Sequence, residues 1–174
     1  MSEWDFRKMC INVEEYEFSL RQFMKLAEPA HLNFGLEVGT GWGVSADLFL
    51  TENPEAHLIS VDIDQTRPAI QALAEKHGAR ILCVPPGPLV AHVNPVDWLY
   101  IDGDHSYEGA RRDILLFEPC LRPGGILVID DVYGTKYPQP GVLPAVNELI
   151  KKENYWPAII IGSESGPVAF IKRS

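Results

Sequence analysis

Positive charge is in short supply in this chain: 15 Lys and Arg residues stand against 24 Asp and Glu, for a formal net charge of −9. A surface of that sign lacks the general attraction to phosphate backbones on which nucleic-acid binding rests, and the short basic pairs Arg111, Arg112 and Lys151, Lys152 do not replace it. Nucleic acid is not an expected partner. Cysteine is scarce as well. Cys10, Cys83 and Cys120 lie too far apart for a disulfide framework or a zinc-ligand spacing, so they are expected as buried small hydrophobes. Long apolar runs are missing: no window approaches the roughly 18 residues of a membrane span, and the opening MSEWDFRKMC has no signal-like apolar segment. The expectation is a cytoplasmic protein with no membrane partner.

What the chain does have is the balance of a globular domain, with 46% hydrophobic and 22% charged residues. Its 174 residues suffice for one sizeable core and not for two. The expectation is a single domain over 1–174 with a short helical lead at 1–32. Within that lead, Tyr16, Leu20, Phe23, Met24 and Ala27 recur at helical spacing, which predicts a helix from Val13 to Glu28 that Pro29 stops. Short apolar runs then alternate with amphipathic stretches. Strands are predicted at Asn33–Val38, His57–Val61, Ala79–Val84, Asp97–Ile101, Gly125–Ile129, Ala158–Ile161 and Val168–Ile171. Helices are predicted at Val44–Glu52, Arg67–His77, Tyr107–Leu121 and Val142–Glu153. Such alternation means an α/β fold: a mostly parallel sheet with helices on both faces. The short GSESG link at 162–166 predicts that the last strand runs antiparallel. Two segments break the rhythm. Pro85, Pro86, Gly87 and Pro88 predict a loop in place of a helix after the third strand, and GTKYPQP at 134–140 reads either as a mobile cover over a site or as an ordinary connection.

Three acids stand out. Asp102 follows the run WLYI, and the pair Asp130 and Asp131 follows GGILVI, so the carboxylates should meet at the ends of neighbouring strands, where open α/β sheets place their chemistry. Crowded carboxylates repel one another, and a hard divalent cation is the usual reason for holding them together. A capping role for an acid or serine of DGDHSYEG is the alternative, favoured for Ser106, and Asp104 competes for a place among the ligands. A second motif, LEVGTGWGVSA, puts Gly39, Gly41 and Gly43 between a strand and a helix, where glycine backbone approaches a ligand and free amides attract an anion. The third glycine comes one residue too early for a dinucleotide fingerprint, which argues against NAD. Asp62 closes the second strand, where a carboxylate can accept both hydroxyls of a ribose.

The acid-x-Gly-x-Gly-x-Gly pattern from Glu37, the acid Asp62 and the segment PGGILVIDD together resemble class I S-adenosylmethionine-dependent methyltransferases, over about Asn33 to Lys172. The resemblance implies a three-layer, doubly wound, seven-stranded Rossmann-like sheet whose last strand is reversed. It also implies that Glu37, Gly39, Gly41, Gly43 and Ser45 surround the methionine moiety and that Asp62 holds the ribose. The chain departs from many such enzymes after the third strand, where CVPPGP replaces a Gly-Asp-Ser type segment, so main-chain groups around Val84 to Gly87 would face the adenine. The three acids narrow the likeness to metal-dependent O-methyltransferases of the catechol and macrolide-sugar types. That likeness implies Mg²⁺ on Asp102, Asp130 and Asp131, with His105, three residues after the first ligand, as the catalytic base.

The chemistry wants those groups. A hydroxyl is a weak nucleophile at neutral pH; a coordinated Mg²⁺ lowers its pKa, and a neutral imidazole can take its proton. The expected partner is therefore a small-molecule hydroxyl acceptor, a sugar or a polyphenol-like compound. With one helix ahead of the first strand, the pocket is either open or completed by a second subunit in a homo-oligomer. Trp42, Tyr107, Tyr133 and Tyr137 flank the motifs, as pocket rim or as packing, while His31, His57, His77 and His92 read as structural. Two other functions stay open at this point. One is a methyltransferase-like binding module without turnover; the other is a nicotinamide-dependent oxidoreductase.

Overall fold

The computed structural model describes Asp5 and residues 13–27, 32–87, 95–133, 141–151, 154–156, 159–160 and 167–173. Helix α1 (Val13–Ala27) leads into β1 (Phe34–Val38), α2 (Val44–Glu52), β2 (His57–Val61), α3 (Pro68–His77), β3 (Ile81–Val84) and β4 (Val96–Ile101). Then come α4 (Tyr107–Phe117), β5 (Leu121–Ile129), α5 (Leu143–Ile150), β6 (Ile159–Ile160) and β7 (Val168–Ile171). The seven strands form one sheet in the order β3-β2-β1-β4-β5-β7-β6. Pairings from β3 through β5 are parallel, whereas β7 runs antiparallel to both β5 and β6. This is the expected seven-stranded, Rossmann-like sheet with its reversed final strand.

Strand alternation divides the core between the two faces. Leu36, Val38, Leu99, Ile101, Leu127 and Ile129 pack under α4 and α5, against Ala110, Ile114, Phe117, Val146 and Leu149. The opposite residues Trp98, Tyr100, Ile126 and Val128 meet α1, α2 and α3 through Leu20, Phe23, Met24, Phe49 and Leu73. Glu37 also points to this second face, because it lies between Leu36 and Val38 on a strand of period two. Trp98 packs so closely on β1 that a Cβ on Gly35 would fall 2.0 Å from its ring.

Several boundaries differ from the expectation. Helix α4 ends at Phe117, not Leu121, because Pro119 lacks an N–H and the chain tightens into a 3₁₀ turn over Glu118–Cys120. Strand β5 begins at Leu121, not Gly125. Its register against β4 jumps from Val96↔Leu121 to Trp98↔Ile126, with Gly124 at φ 75° inside the jump. Likewise, β3 starts at Ile81 because Gly78–Arg80 forms another 3₁₀ turn. Helix α5 spans only Leu143–Ile150; of the strand expected over Ala158–Ile161, Ile159–Ile160 forms β6, and Ala158 and Ile161 lie outside the described residues. The expected loop holds at Pro85, Pro86 and Gly87, which carry no helix. GTKYPQP, the GSESG link, Pro88, Cys10, His31, His92 and Tyr137 lie outside the described residues. Cys120 is buried as expected, whereas Cys83 is half-buried. His57 opens β2 in an exposed position, and His77 is buried on Asp47 and Arg80, 2.8 and 3.1 Å away, in a clamp between α2 and α3. Among the described residues, no helix is long and apolar enough to cross a membrane.

Candidate active site

The sheet order reverses between β1 and β4, and the two loops that leave these strands lie side by side. After Val38 the backbone turns through Gly39, Gly41 and Gly43 at φ 99°, 50° and 78° before α2 begins. These are left-handed values that glycine alone adopts without strain. Gly39 N–H donates to the Val61 carbonyl at 2.7 Å, and a Cβ at Gly39 would stand 2.0 Å from the carbonyl oxygen of Asp102. The glycine loop therefore packs directly on the loop that holds the acids. At Gly41, by contrast, a Cβ would meet nothing within 4 Å, so that peptide faces open space.

Asp62 joins the glycine loop from β2. Its Oδ2 accepts the Gly41 N–H at 2.9 Å and its Oδ1 accepts the Asp64 N–H at 2.8 Å. The Arg67 Nε lies 3.5 Å from Oδ1, and its guanidinium sits 5.9 Å from the centre of the half-exposed Trp42 ring. Each carboxylate oxygen accepts more than one hydrogen bond, so Asp62 retains acceptor capacity for hydroxyl groups.

Glu37 lies on the floor of this loop, 1% exposed, and accepts hydrogen bonds from the Ser45 and Ser60 hydroxyls. Thr40 extends the chain, its Oγ1 lying 2.7 Å from Ser60 Oγ. Burial pushes the Glu37 carboxyl from 4.5 up to about 7; the serine hydroxyls pull the other way, and the Asp102 and Asp62 charges add to the rise. A small pocket with room for about one water molecule opens beside it under α1, lined by Glu37, Ser45, Tyr100, Phe23, Phe49 and Trp98. Ser45 is thus turned toward Glu37. Thr40 and Ser60 were not singled out from the sequence; a serine inside the apolar strand HLISV was the available signal.

The acids meet as the strand order requires. Asp102 N–H donates to the Val38 carbonyl at 2.8 Å, and Asp130 N–H to the Ile101 carbonyl at 2.9 Å, so each acid prolongs the pairing of its strand with a neighbour. His105 stands between two of them: Nε2 is 3.0 Å from Asp102 Oδ1, and Nδ1 is 3.0 Å from Asp131 Oδ2. Ligand atoms of Asp102, His105 and Asp131 all lie within 4.8 Å of one another. Burial alone would depress the imidazole, but hydrogen bonds to Asp102 and Asp131, together with their charges, raise it from 6.5 to about 10. Asp131 holds its place at φ 51°, the only positive value outside glycine among the described residues. Such strain clusters at functional sites.

Asp130 sits deeper. It accepts the Tyr100 hydroxyl at 2.7 Å on Oδ2 and the Asp131 N–H at 2.8 Å on Oδ1. Burial raises its carboxyl well above the ordinary carboxylate range, with the Asp102 charge adding to the effect. Tyr100 was missed from the sequence because it reads as one more apolar residue of WLYI. Asp104 accepts the Ser106 N–H at 3.0 Å and lies against Gly109, outside the ligand group. Ser106 is the helix cap, accepting the Gly109 N–H at 3.1 Å. Tyr107 is tied to Glu148 of α5 at 2.5 Å, and Tyr133 is exposed just past the acid pair. Among the described residues, the group whose donor atoms lie close enough to share an ion is Asp102, His105 and Asp131; the buried Asp130 is not in it, and two carboxylates with an imidazole are a donor set able to take a divalent cation. Two buried carboxylates beside an open glycine loop suit a ligand with an amine and a ribose.

Comparison with known proteins agrees with this geometry. A family described as a methyltransferase domain matches residues 36–132, more than half of the chain. The chain belongs to this methyltransferase family. Among solved structures, a Staphylococcus aureus protein described as a caffeoyl-CoA O-methyltransferase superposes with a TM-score of 0.74 at 18% identity, covering 95% of this chain and 94% of that one. The MycE methyltransferase of mycinamycin biosynthesis, solved with Mg, S-adenosylhomocysteine and mycinamycin VI, gives a TM-score of 0.68 at 18% identity. It shares 88% of this chain but 48% of its own. An uncharacterized protein of Acanthamoeba polyphaga mimivirus is 39% identical over 57 residues, which are 33% of this chain and 25% of that protein.

Proposed function

We propose that this methyltransferase moves the methyl group of S-adenosylmethionine to a hydroxyl of a small molecule, with a divalent cation of the Mg²⁺ type held by Asp102, Asp130 and Asp131. The observation that carries the reading is the placement of His105 between Asp102 and Asp131, against the loop of Gly39. In this reading Glu37 and the open side of the glycine loop receive the amino-acid end of the cofactor and Asp62 its ribose. A cation on the three acids would lower the pKa of an acceptor hydroxyl and orient its oxygen. The protein's own share is positioning and proton handling, since methyl transfer is an in-line displacement that needs no covalent enzyme intermediate.

His105 supplies the proton acceptor. With both ring nitrogens directed at carboxylates the ring is held in its doubly protonated form, so it must first release one proton to solvent, which requires Asp102 or Asp131 to turn from the ring to another positive charge, before it can accept the proton of the hydroxyl. This ties the base to the cation site. One structural neighbour described as an O-methyltransferase, and a second methyltransferase solved with Mg and S-adenosylhomocysteine, support the same assignment. Family membership leaves the nicotinamide reading without support. The test is release of S-adenosylhomocysteine from S-adenosylmethionine across a panel of sugars, catechols and other hydroxyl compounds, with Mg²⁺ or with EDTA. Turnover that needs both an acceptor and the metal is expected; equal turnover in EDTA would remove the cation from the account.

A further inference from the structure

Asp102 and His105 are separated by two residues, Gly103 and Asp104, and what fixes these two lies beneath them on α4. Asp113 is an acid in the middle of that helix, yet it faces inward and is 7% exposed. A buried carboxylate is expensive without hydrogen-bond partners, so its contacts should explain its presence. One is Arg112, whose Nε lies 3.2 Å from Oδ1 but whose side chain is 65% exposed, so that pair alone offers little. Another is the main-chain N–H of Asp104, which donates to the Asp113 carboxylate.

The third contact is with Gly103. A Cβ there would stand 2.8 Å from Asp113 Oδ2, while Val38 would be at an ordinary 3.5 Å. Gly103 is not among the glycines with positive φ, so its backbone conformation is open to any residue. Any side chain at this position would have to push the Asp113 carboxylate aside. The opposite side of the loop is pinned independently, by Ser106 capping α4 and by Asp104 lying on Gly109.

We propose that Asp113 is a positioning residue: its buried carboxylate clamps Gly103 and Asp104 and thereby sets the spacing of Asp102 and His105. The clamp is a feature of this loop in its own right; its service to a cation and to methyl transfer rests on the proposed function.

Three variants test it: Asp113→Ala, Asp113→Asn and Gly103→Ala, each measured for Mn²⁺ affinity, S-adenosylhomocysteine affinity, hydrogen exchange of the Asp104 amide and thermal midpoint. Removing an outer partner of a metal ligand set typically weakens metal binding roughly 10–100-fold. Asp113→Ala is expected to lose Mn²⁺ affinity in that range and to speed exchange at Asp104, with cofactor affinity unchanged. Asp113→Asn should restore both, because its amide oxygen still accepts the Asp104 N–H. Gly103→Ala should repeat the loss in the wild-type background and do little in Asp113→Ala, where the obstacle is gone. Wild-type exchange at Asp104 in Asp113→Ala, with only a lowered thermal midpoint, would overturn the proposal, as would Gly103→Ala losses that ignore residue 113. If Asp113→Ala does not fold, Asp113→Asn and Gly103→Ala decide the matter. A wild-type protein that binds neither Mn²⁺ nor S-adenosylhomocysteine would defeat the functional reading, while exchange at Asp104 would still judge the clamp.

Discussion

A Cβ on Gly39 would stand 2.0 Å from the carbonyl oxygen of Asp102, so the turn leaving β1 and the turn leaving β4 are in direct contact. The contact falls at the point where the strand order reverses, and it joins the glycine loop to the acid site as one packed unit. Neither loop can shift without moving the other.

Gly39→Ala should therefore damage both halves of the site. A left-handed φ of 99° and a clash with backbone each argue against a side chain; strain and overpacking of this kind each cost about 1–3 kcal/mol. Gly41→Ala, with φ 50° and nothing within 4 Å, carries the backbone term alone. Thermal denaturation and S-adenosylhomocysteine titration should show a large loss for the first variant and a small one for the second.

Glu37 makes stability depend on pH. Its carboxyl rises from 4.5 to about 7 on folding, so the protonated form is the one the fold prefers. That contribution is fully present below 4.5 and is lost as pH rises through about 7. The difference amounts to on the order of 3 kcal/mol at about 1.4 kcal/mol for each tenfold change. Urea denaturation of the cofactor-free protein should give a steeper fall between pH 5 and pH 8.5 for wild type than for Glu37→Gln. Parallel curves would show that Glu37 titrates normally.

Much of this was legible beforehand, and the exceptions have physical causes. Helix α2 and strands β2 and β7 fell at their predicted ends, because Gly43, Asp62 and the apolar run VAFI mark them locally. The junction between α4 and β5 did not, since Pro119 and Gly124 break the periodicity on which the reading depended. In the site, the acids and His105 were visible from spacing in the chain. Tyr100 and Ser60 were not, because their partners Asp130 and Glu37 lie 30 and 23 residues away, and each resembles strand filler until the sheet is assembled.

Asp130→Ala separates catalysis from mere ligand holding. The buried carboxylate is oriented by Tyr100 and belongs to the proposed cation site, away from the glycine amides. Methyl transfer should fall at least about a hundredfold, equivalent to about 2.7 kcal/mol, while S-adenosylhomocysteine affinity stays close to wild type. Full activity in this variant would remove Asp130 from the site.

His105→Ala distinguishes a base from a ligand. Its two nitrogens face two different carboxylates instead of converging on one point, which is the arrangement of a bridging donor. The variant should keep or improve its Mn²⁺ affinity and lose roughly 10²–10⁴-fold in rate, the usual share of a general base. A loss of metal affinity matching the loss of rate would make His105 a ligand.

Calorimetric titration of the protein with S-adenosylhomocysteine, in Mg²⁺ and in EDTA, followed by titration of the cofactor complex with Mg²⁺, tests the central claim most directly. Saturable cofactor binding in both conditions is predicted, with a separate Mg²⁺ heat that disappears in Asp130→Ala. Absence of cofactor binding under every metal condition would contradict the account.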